Sequence, residues 1–288
     1  MKYIFLITSL LFSTATIAQK TTSLQKKALD HTVYDSWKEI TYEELTPDGK
    51  YAAFTINPQD GDGKVVFYNL KTNAQDSVHR ASDISLSYDS KYAVFKIKPQ
   101  QDLVKELRRQ KKKKDELPKD SLGLYSFSTR STNKIPNVKS YKIPEKASGW
   151  IAYQLEAVKE EKASSESATE NSKSRKARKN NEENGYTLVL RKLSDGKERS
   201  FDFVTNYQFA TFGQGLLFST TGNSPNLDPG VYWYDLQNEN LSLLYQGHSK
   251  YKFKGLSISE AGDQSAFLVD TDTTKALVRN FKLYHWKK

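Results

Sequence analysis

The sequence has 288 residues, with 44 Lys and Arg against 34 Asp and Glu, a formal net charge of +10, no cysteine and one methionine. The absence of cysteine excludes disulfides, thiolate metal sites and a lipid-modified amino-terminal cysteine. Aromatic residues are many, 17 Tyr, 14 Phe and 4 Trp, and they lean toward sheet rather than helix.

Taken from its start, the chain first shows an export signal over residues 1–18. Lys2 supplies the positive start, "YIFLITSLLF" the apolar run and "TIA" before Gln19 a small-residue cleavage site. The run is too short to span a bilayer, and no later segment is long and apolar enough to do so. The mature chain, residues 19–288, is predicted to be periplasmic or extracellular and cut near Ala18.

The next segment sets a pattern. "ITYEELT" alternates apolar and polar residues as a half-buried strand does. "PDGK" is a turn, in which Pro fixes φ, Asp bonds locally and Gly permits the bend. "YAAFTIN" is a second strand, "PQDGDGK" a loop, "VVFYNL" a third strand, "KTN" a turn and "AQDSVHR" a polar edge strand. Four antiparallel strands in about 40 residues is the unit of a propeller blade.

The unit recurs. "GKYAAFTI", "SKYAVFKI", "SGWIAYQL", "GQGLLFST" and "GDQSAFLV" place an equivalent aromatic at Phe54, Phe95, Tyr153, Phe218 and Phe267, spaced by 41, 58, 65 and 49 residues. A polar, Lys-rich insertion at 99–118 and a low-complexity one at 159–184 account for the two long gaps, which shrink to 38 and 39 without them. Both insertions fall between a second and a third strand, on one face of the disc. The first could form a short helix around Leu103, Val104 and Leu107. The second has no aromatic and no aliphatic larger than Ala, so it cannot build a core. The predicted class is all-β, a propeller of four-stranded antiparallel blades near 38–80, 81–140, 141–204, 205–247 and 248–288, four blades and part of a fifth. Each of the five aromatics should lie in a sheet of its own. A pair of β-sandwiches is the rival reading, but sandwiches seldom repeat a turn motif at this spacing.

The excess charge is concentrated. "KELRRQKKKK", Lys105 to Lys114, holds seven basic residues against one acidic and no aromatic, which reads as a solvated charged excursion rather than a nucleic-acid surface. His31, His79, His248 and His285 are scattered without metal-ligand spacing. The string nearest a nucleophile elbow is "GLSIS", Gly255 to Ser259, with Ser257 at its centre, but its last glycine is missing and it aligns with "ISLSYD", an opening blade strand. No catalytic, cofactor-binding or metal-binding residue is assigned, and no cofactor.

The string "LDHTVYDSWKEITYEELTPDGKYAAFTINPQDGDGKVVFYNLKTN", then "SKYAVFKIKP", a Lys-rich insertion and "LPKDSLGLY", resembles secreted bacterial serine peptidases of the prolyl oligopeptidase family. The resemblance is strongest from Leu29 to Tyr125. It implies a propeller that limits which peptides reach a carboxy-terminal α/β-hydrolase domain carrying a G-x-S-x-G nucleophile, with peptides as substrates. These residues contain no G-x-S-x-G, so the resemblance implies a non-catalytic gating portion whose partner is the hydrolase domain of the same parent. The Glu43–Glu44, Glu160–Glu161 and Glu182–Glu183 pairs lie in no copy of the family's motif for gripping a substrate amino terminus. The alternative is a stand-alone periplasmic propeller that binds a protein partner.

Overall fold

The turn chemistry of "TPDGKY" organises the fold seen in a computed structural model, which describes residues 31–157, 180–222, 227–274 and 277–288. The Thr46 hydroxyl donates to Asp48 Oδ1 at 2.8 Å and accepts the Tyr51 N–H at 3.0 Å. The Gly49 N–H closes the turn on the Thr46 carbonyl, with Gly49 at φ 67°. Lys50 and then Thr46 hold the Asp48 carboxyl down to about 2. "SYDSKY" repeats the device: Ser87 replaces Thr46 and Ser90, at φ 58°, takes the place of the glycine. Ser259, Gly262 and Asp263 build it a third time.

Each such turn joins a first strand to a second. Sheet one contains β1 (Lys38–Leu45), β2 (Tyr51–Pro58), β3 (Lys64–Asn69) and β4 (Gln75–His79). Sheet two contains β5 (Ala81–Leu86), β6 (Tyr92–Ile97), β7 (Ser121–Ser126) and β8 (Ser131–Ile135), with helix α1 (Gln101–Arg109) between β6 and β7. Then come β9 (Val138–Lys142), β10 (Trp150–Leu155), β11 (Tyr186–Lys192), β12 (Glu198–Phe209), β13 (Gly215–Thr220), β14 (Gly230–Asp235) and β15 (Asn240–Gln246), hydrogen-bonded in one seven-stranded run. The last sheet is β16 (Lys252–Ile258), β17 (Gln264–Asp270) and β18 (Lys282–Lys287). All neighbours pair antiparallel in chain order.

The sheets pack face to face in sequence. Ala53, Val65 and Phe67 of sheet one meet Ala93, Phe95 and Ile97 of sheet two. The opposite face of sheet two, through Val94, Leu122 and Leu124, meets Ile151, Tyr153 and Val189. Ala152, Leu188 and Leu190 meet Leu216 and Phe218, and Leu217 and Trp233 meet Phe267 and Val269. Consecutive first strands are tied on one side of the stack: Tyr141 of β9 donates to the Asp83 carbonyl of β5, and Asn206 of β12 donates to the Phe253 carbonyl of β16 at 3.1 Å. The fourth strands, β4 and β8, lie on the other side and are largely exposed. First strands inside, fourth strands outside and blades stacked between their faces define a β-propeller arc.

The five reference aromatics each stand fourth in their strand, and from the second blade onward each faces the preceding blade. Phe95, Tyr153, Phe218 and Phe267 are buried, whereas Phe54 is half-buried because sheet one has no described blade on that side. Phe95 fits because Gly123 stands opposite it; a Cβ there would lie 2.2 Å from the ring.

Three expectations need correction. Tyr153 and Phe218 share one sheet, because β12 runs unbroken from the outer edge of the third blade into the inner edge of the fourth. Between the first three blades the passage is a kink at a left-handed residue, Arg80 (φ 62°) or Asn137 (φ 57°). In β12 the left-handed Phe203 (φ 55°) lies inside the strand, and pairing passes from β11 to β13 around Val204. The first strand is also not half-buried: Ile40, Tyr42 and Leu45 are about 60% exposed (61%, 64% and 60%). Nor is the Lys-rich run wholly solvated. Its helix rests Val104 and Leu107 half-buried and pairs Lys105 with Asp60 of the first blade at 2.5 Å. The signal segment 1–18 and residues 159–179 of the second insertion lie outside the described residues.

Candidate functional site

Bulges mark the inner strands. Tyr42–Glu43 lie opposite Phe54, Asp83–Ile84 opposite Phe95 and Gly255–Leu256 opposite Phe267, two residues against one in each case. Tyr42, Asp83 and Gly255 take the left-handed backbone that this requires, φ 53°, 53° and 59°. A bulge breaks the alternation of a strand and re-aims its side chains, here where the blades converge. The clear sequence signal for the bulge is Gly255; Asp83 is a residue type that tolerates the left-handed region, and at Tyr42 nothing in the residue type announces it.

Between the inner strands of the first four blades, β1, β5, β9 and β12, lies an axial cavity of about 650 Å³, lined in part by Tyr42, Ser85, Tyr141, Lys142, Glu145 and Gln208. Tyr141 spans two blades, its hydroxyl donating to the Asp83 carbonyl and lying 3.3 Å from Ser85 Oγ. Burial pushes the Tyr141 phenol up to about 12, so it remains a neutral donor at neutral pH. Beneath it a relay joins the third and fourth blades. Tyr207 donates to Ser140 Oγ at 2.8 Å, Ser140 donates to Gln154 Oε1 at 3.1 Å, and Gln154 Nε2 donates to the Val204 carbonyl at 2.8 Å. Every polar atom of that chain is satisfied, so it fixes geometry rather than offering a reactive group. Lys142 sits 5.5 Å from the Tyr207 ring centroid, and burial lowers its ammonium below the ordinary lysine value.

Ser257 lies on β16, exposed, opposite Ala266, which is in turn opposite His285. Serine and histidine are thus two strands apart, roughly 9.5 Å at the usual strand spacing and beyond hydrogen-bond reach. His285 Nε2 is 3.0 Å from Gln264 Oε1 instead, and His248 Nδ1 accepts the Lys250 N–H. Among the described residues no three His, Asp or Glu side chains converge as a metal site. No described helix is long and apolar enough to cross a membrane.

The fold and the axial cavity therefore define a β-propeller. No family model matches the chain, and no curated protein does. Among solved structures it is similar to a prolyl endopeptidase studied for inter-domain dynamics in catalysis and specificity, at 12% identity over 82% of this chain and 33% of that one, TM-score 0.45. It is similar to TolB from Acinetobacter baumannii at 11% identity, over 82% of this chain and 53% of that one, TM-score 0.34. The β-propeller domain of the Trilobed protease from Pyrococcus furiosus, described as having an open velcro topology, matches at 13% identity over 88% of this chain and 69% of that one, TM-score 0.45. The chain spans about a third of the prolyl endopeptidase.

Proposed function

We propose that this chain is the non-catalytic, substrate-gating propeller portion of an exported serine peptidase of the prolyl oligopeptidase family. The observation that carries the reading is the axial cavity. Bulged inner strands surround it with tyrosine hydroxyls, a lysine and a glutamate, while the hydrogen bonds beneath it are spent on holding blades together. Such a frame admits or refuses an extended chain by width and polarity and does no chemistry itself. The sequence resemblance from Leu29 to Tyr125 supports the family. In the parent, a serine in an α/β-hydrolase domain attacks the peptide carbonyl, a histidine takes its proton, and the acyl-enzyme is then hydrolysed. The propeller contributes exclusion: folded proteins are held away and flexible peptides pass.

The test is the gene beyond Lys288. A G-x-S-x-G coding sequence in frame or immediately downstream, followed by Asp and His codons, supports the reading. A stop with no such sequence nearby favours a binding module without chemistry.

A further inference from the structure

A second cavity, of about 500 Å³, opens on the face that carries the loops between second and third strands. It lies where the first three blades meet. Residues 61–63 of the first blade, Arg80 to Ser82 at the junction, α1 with the segment after it, and Lys139 and Glu156 of the third blade form its walls. The sequence reading of the Lys-rich insertion as bulk charge does not account for it. The helix lies against this opening through Gln101, Val104 and Arg108, and Arg108 is the one of its charged side chains that lines it.

The wall is unbalanced in charge. Arg80, Lys98, Arg108, Lys114, Lys119 and Lys139 line the cavity against Asp62, Asp120 and Glu156. Some of this is already used. Lys139 sits 4.0 Å over the Tyr186 ring and 3.6 Å from Glu182, Lys119 donates to the Lys114 carbonyl, and Asp62 accepts the Gln101 N–H at the start of α1. Among the described residues, Arg80, Lys98 and Arg108 make no ion pair; Arg108 shares its helix with the Arg109–Glu106 pair and takes no part in it. Two polar atoms in the same wall, Ser82 Oγ and Gln101 Oε1, are buried and have no hydrogen-bond partner. A buried hydroxyl without a partner costs about 1–3 kcal/mol, and a ligand that meets it recovers that cost. Unpaired cations beside an unmet donor, around a cavity of small-molecule size, are the ingredients of an anion site.

We propose that this cavity binds a small polyvalent anion bearing carboxylate or phosphate groups. Arg80 and Arg108 present planar forks to its oxygens, Lys98 adds a point charge, and Ser82 donates from below. Val104 and Val138 close the apolar side. Because the walls come from three blades, occupancy ties the insertion to the blade junction and stabilises the arc.

Isothermal titration calorimetry of the full chain at fixed ionic strength tests this, with pyrophosphate and citrate as probes and chloride as the blank. Saturable binding of one equivalent of either probe is expected, and the one that binds more tightly identifies the phosphate or the carboxylate source. K98Q/R108Q, two exposed positions whose side chains make no hydrogen bond or ion pair among the described residues, should weaken it at least about tenfold, and S82A about fivefold, as expected for charged and neutral hydrogen bonds respectively. K71Q/K197Q removes two charges from the turns on the opposite face and should leave binding unchanged. No saturable binding of either anion overturns the proposal. So does equal weakening by the two lysine-containing double variants, which would assign the effect to net charge, or full affinity in K98Q/R108Q with an unchanged melting temperature.

Discussion

Phe54 and Phe95 occupy the same place in consecutive repeats, yet they should respond very differently to truncation. Phe95 is 0% exposed, packed with Ala53, Val65 and Phe67 of the first blade, and its ring centroid lies 5.8 Å from that of Phe67. Gly123 opposite it supplies no Cβ to fill the space left by a missing ring. Phe95→Ala therefore loses both the transfer free energy and the cost of a cavity, about 3–5 kcal/mol. Phe54 faces the side of the first blade that no described blade covers, so Phe54→Ala leaves no enclosed void. Only the partial transfer term is lost, about 1–1.5 kcal/mol. At about 2–4 °C per kcal/mol for a domain of this size, the melting temperature should fall by roughly 10 °C for Phe95→Ala and by about 3–4 °C for Phe54→Ala. Differential scanning calorimetry reads both. Equal losses would refute the reasoning, since they would mean either that the first face is covered or that Phe95 does not face a neighbouring blade. Phe218→Ala and Phe267→Ala should follow Phe95→Ala, their rings being 0% and 2% exposed.

Gly123→Ala drives a methyl into the Phe95 ring and should cost about 1–3 kcal/mol in chemical denaturation, relieved in Gly123→Ala/Phe95→Leu. Tyr207→Phe removes the donor to Ser140 Oγ and should cost about 1 kcal/mol, and because Ser140→Ala loses that bond as well as the one to Gln154, the double variant should lose less than the sum of the two single losses; full additivity would mean the Tyr207–Ser140 bond is not formed. Asp76 ties the first blade to the second through Arg130, at 2.7 and 2.8 Å, and Tyr125, at 2.6 Å, and these two, Arg130 first, hold its carboxyl below the ordinary value. The stabilisation is complete above the unfolded value of about 3.9 and fades as pH falls through the lower folded value, so Asp76→Asn should flatten the acid limb of the stability profile below about pH 4. An unchanged acid limb would remove Asp76 from the inter-blade contacts.

The parts of this fold legible in the sequence are those in which a local bond dictates the residue type. The "TPDGKY" turn needs a hydroxyl, a left-handed residue three positions on and a carboxylate beside it, so its recurrence at Thr46, Ser87 and Ser259 marks the blade period. The reference aromatics were legible for a similar reason, since a central strand squeezed between two faces tolerates little else. What was not legible is what depends on distant partners. The continuous β12 has no Gly or Pro to announce or deny a break, and the left-handed Phe203 looks like any strand residue. The exposure of Ile40, Tyr42 and Leu45 reflects the position of the first blade in the arc, not its alternation. In the axial cavity the bulges at Tyr42 and Asp83 are set by the pairing register with β2 and β6. The seat of Lys105 on Asp60 joins residues 45 positions apart, and a charge run carries no sign of which of its members will find a partner.

Central to the proposed function is that these residues frame access and do not cleave. Fluorophosphonate labelling of the purified chain tests it most directly, because the reagent reports an activated serine whatever the substrate. The account predicts no labelling of this chain alone, at a level equal to Ser257→Ala, with a labelled serine arising only in a longer protein that carries a G-x-S-x-G elbow. Labelling of this chain that Ser257→Ala abolishes would contradict it.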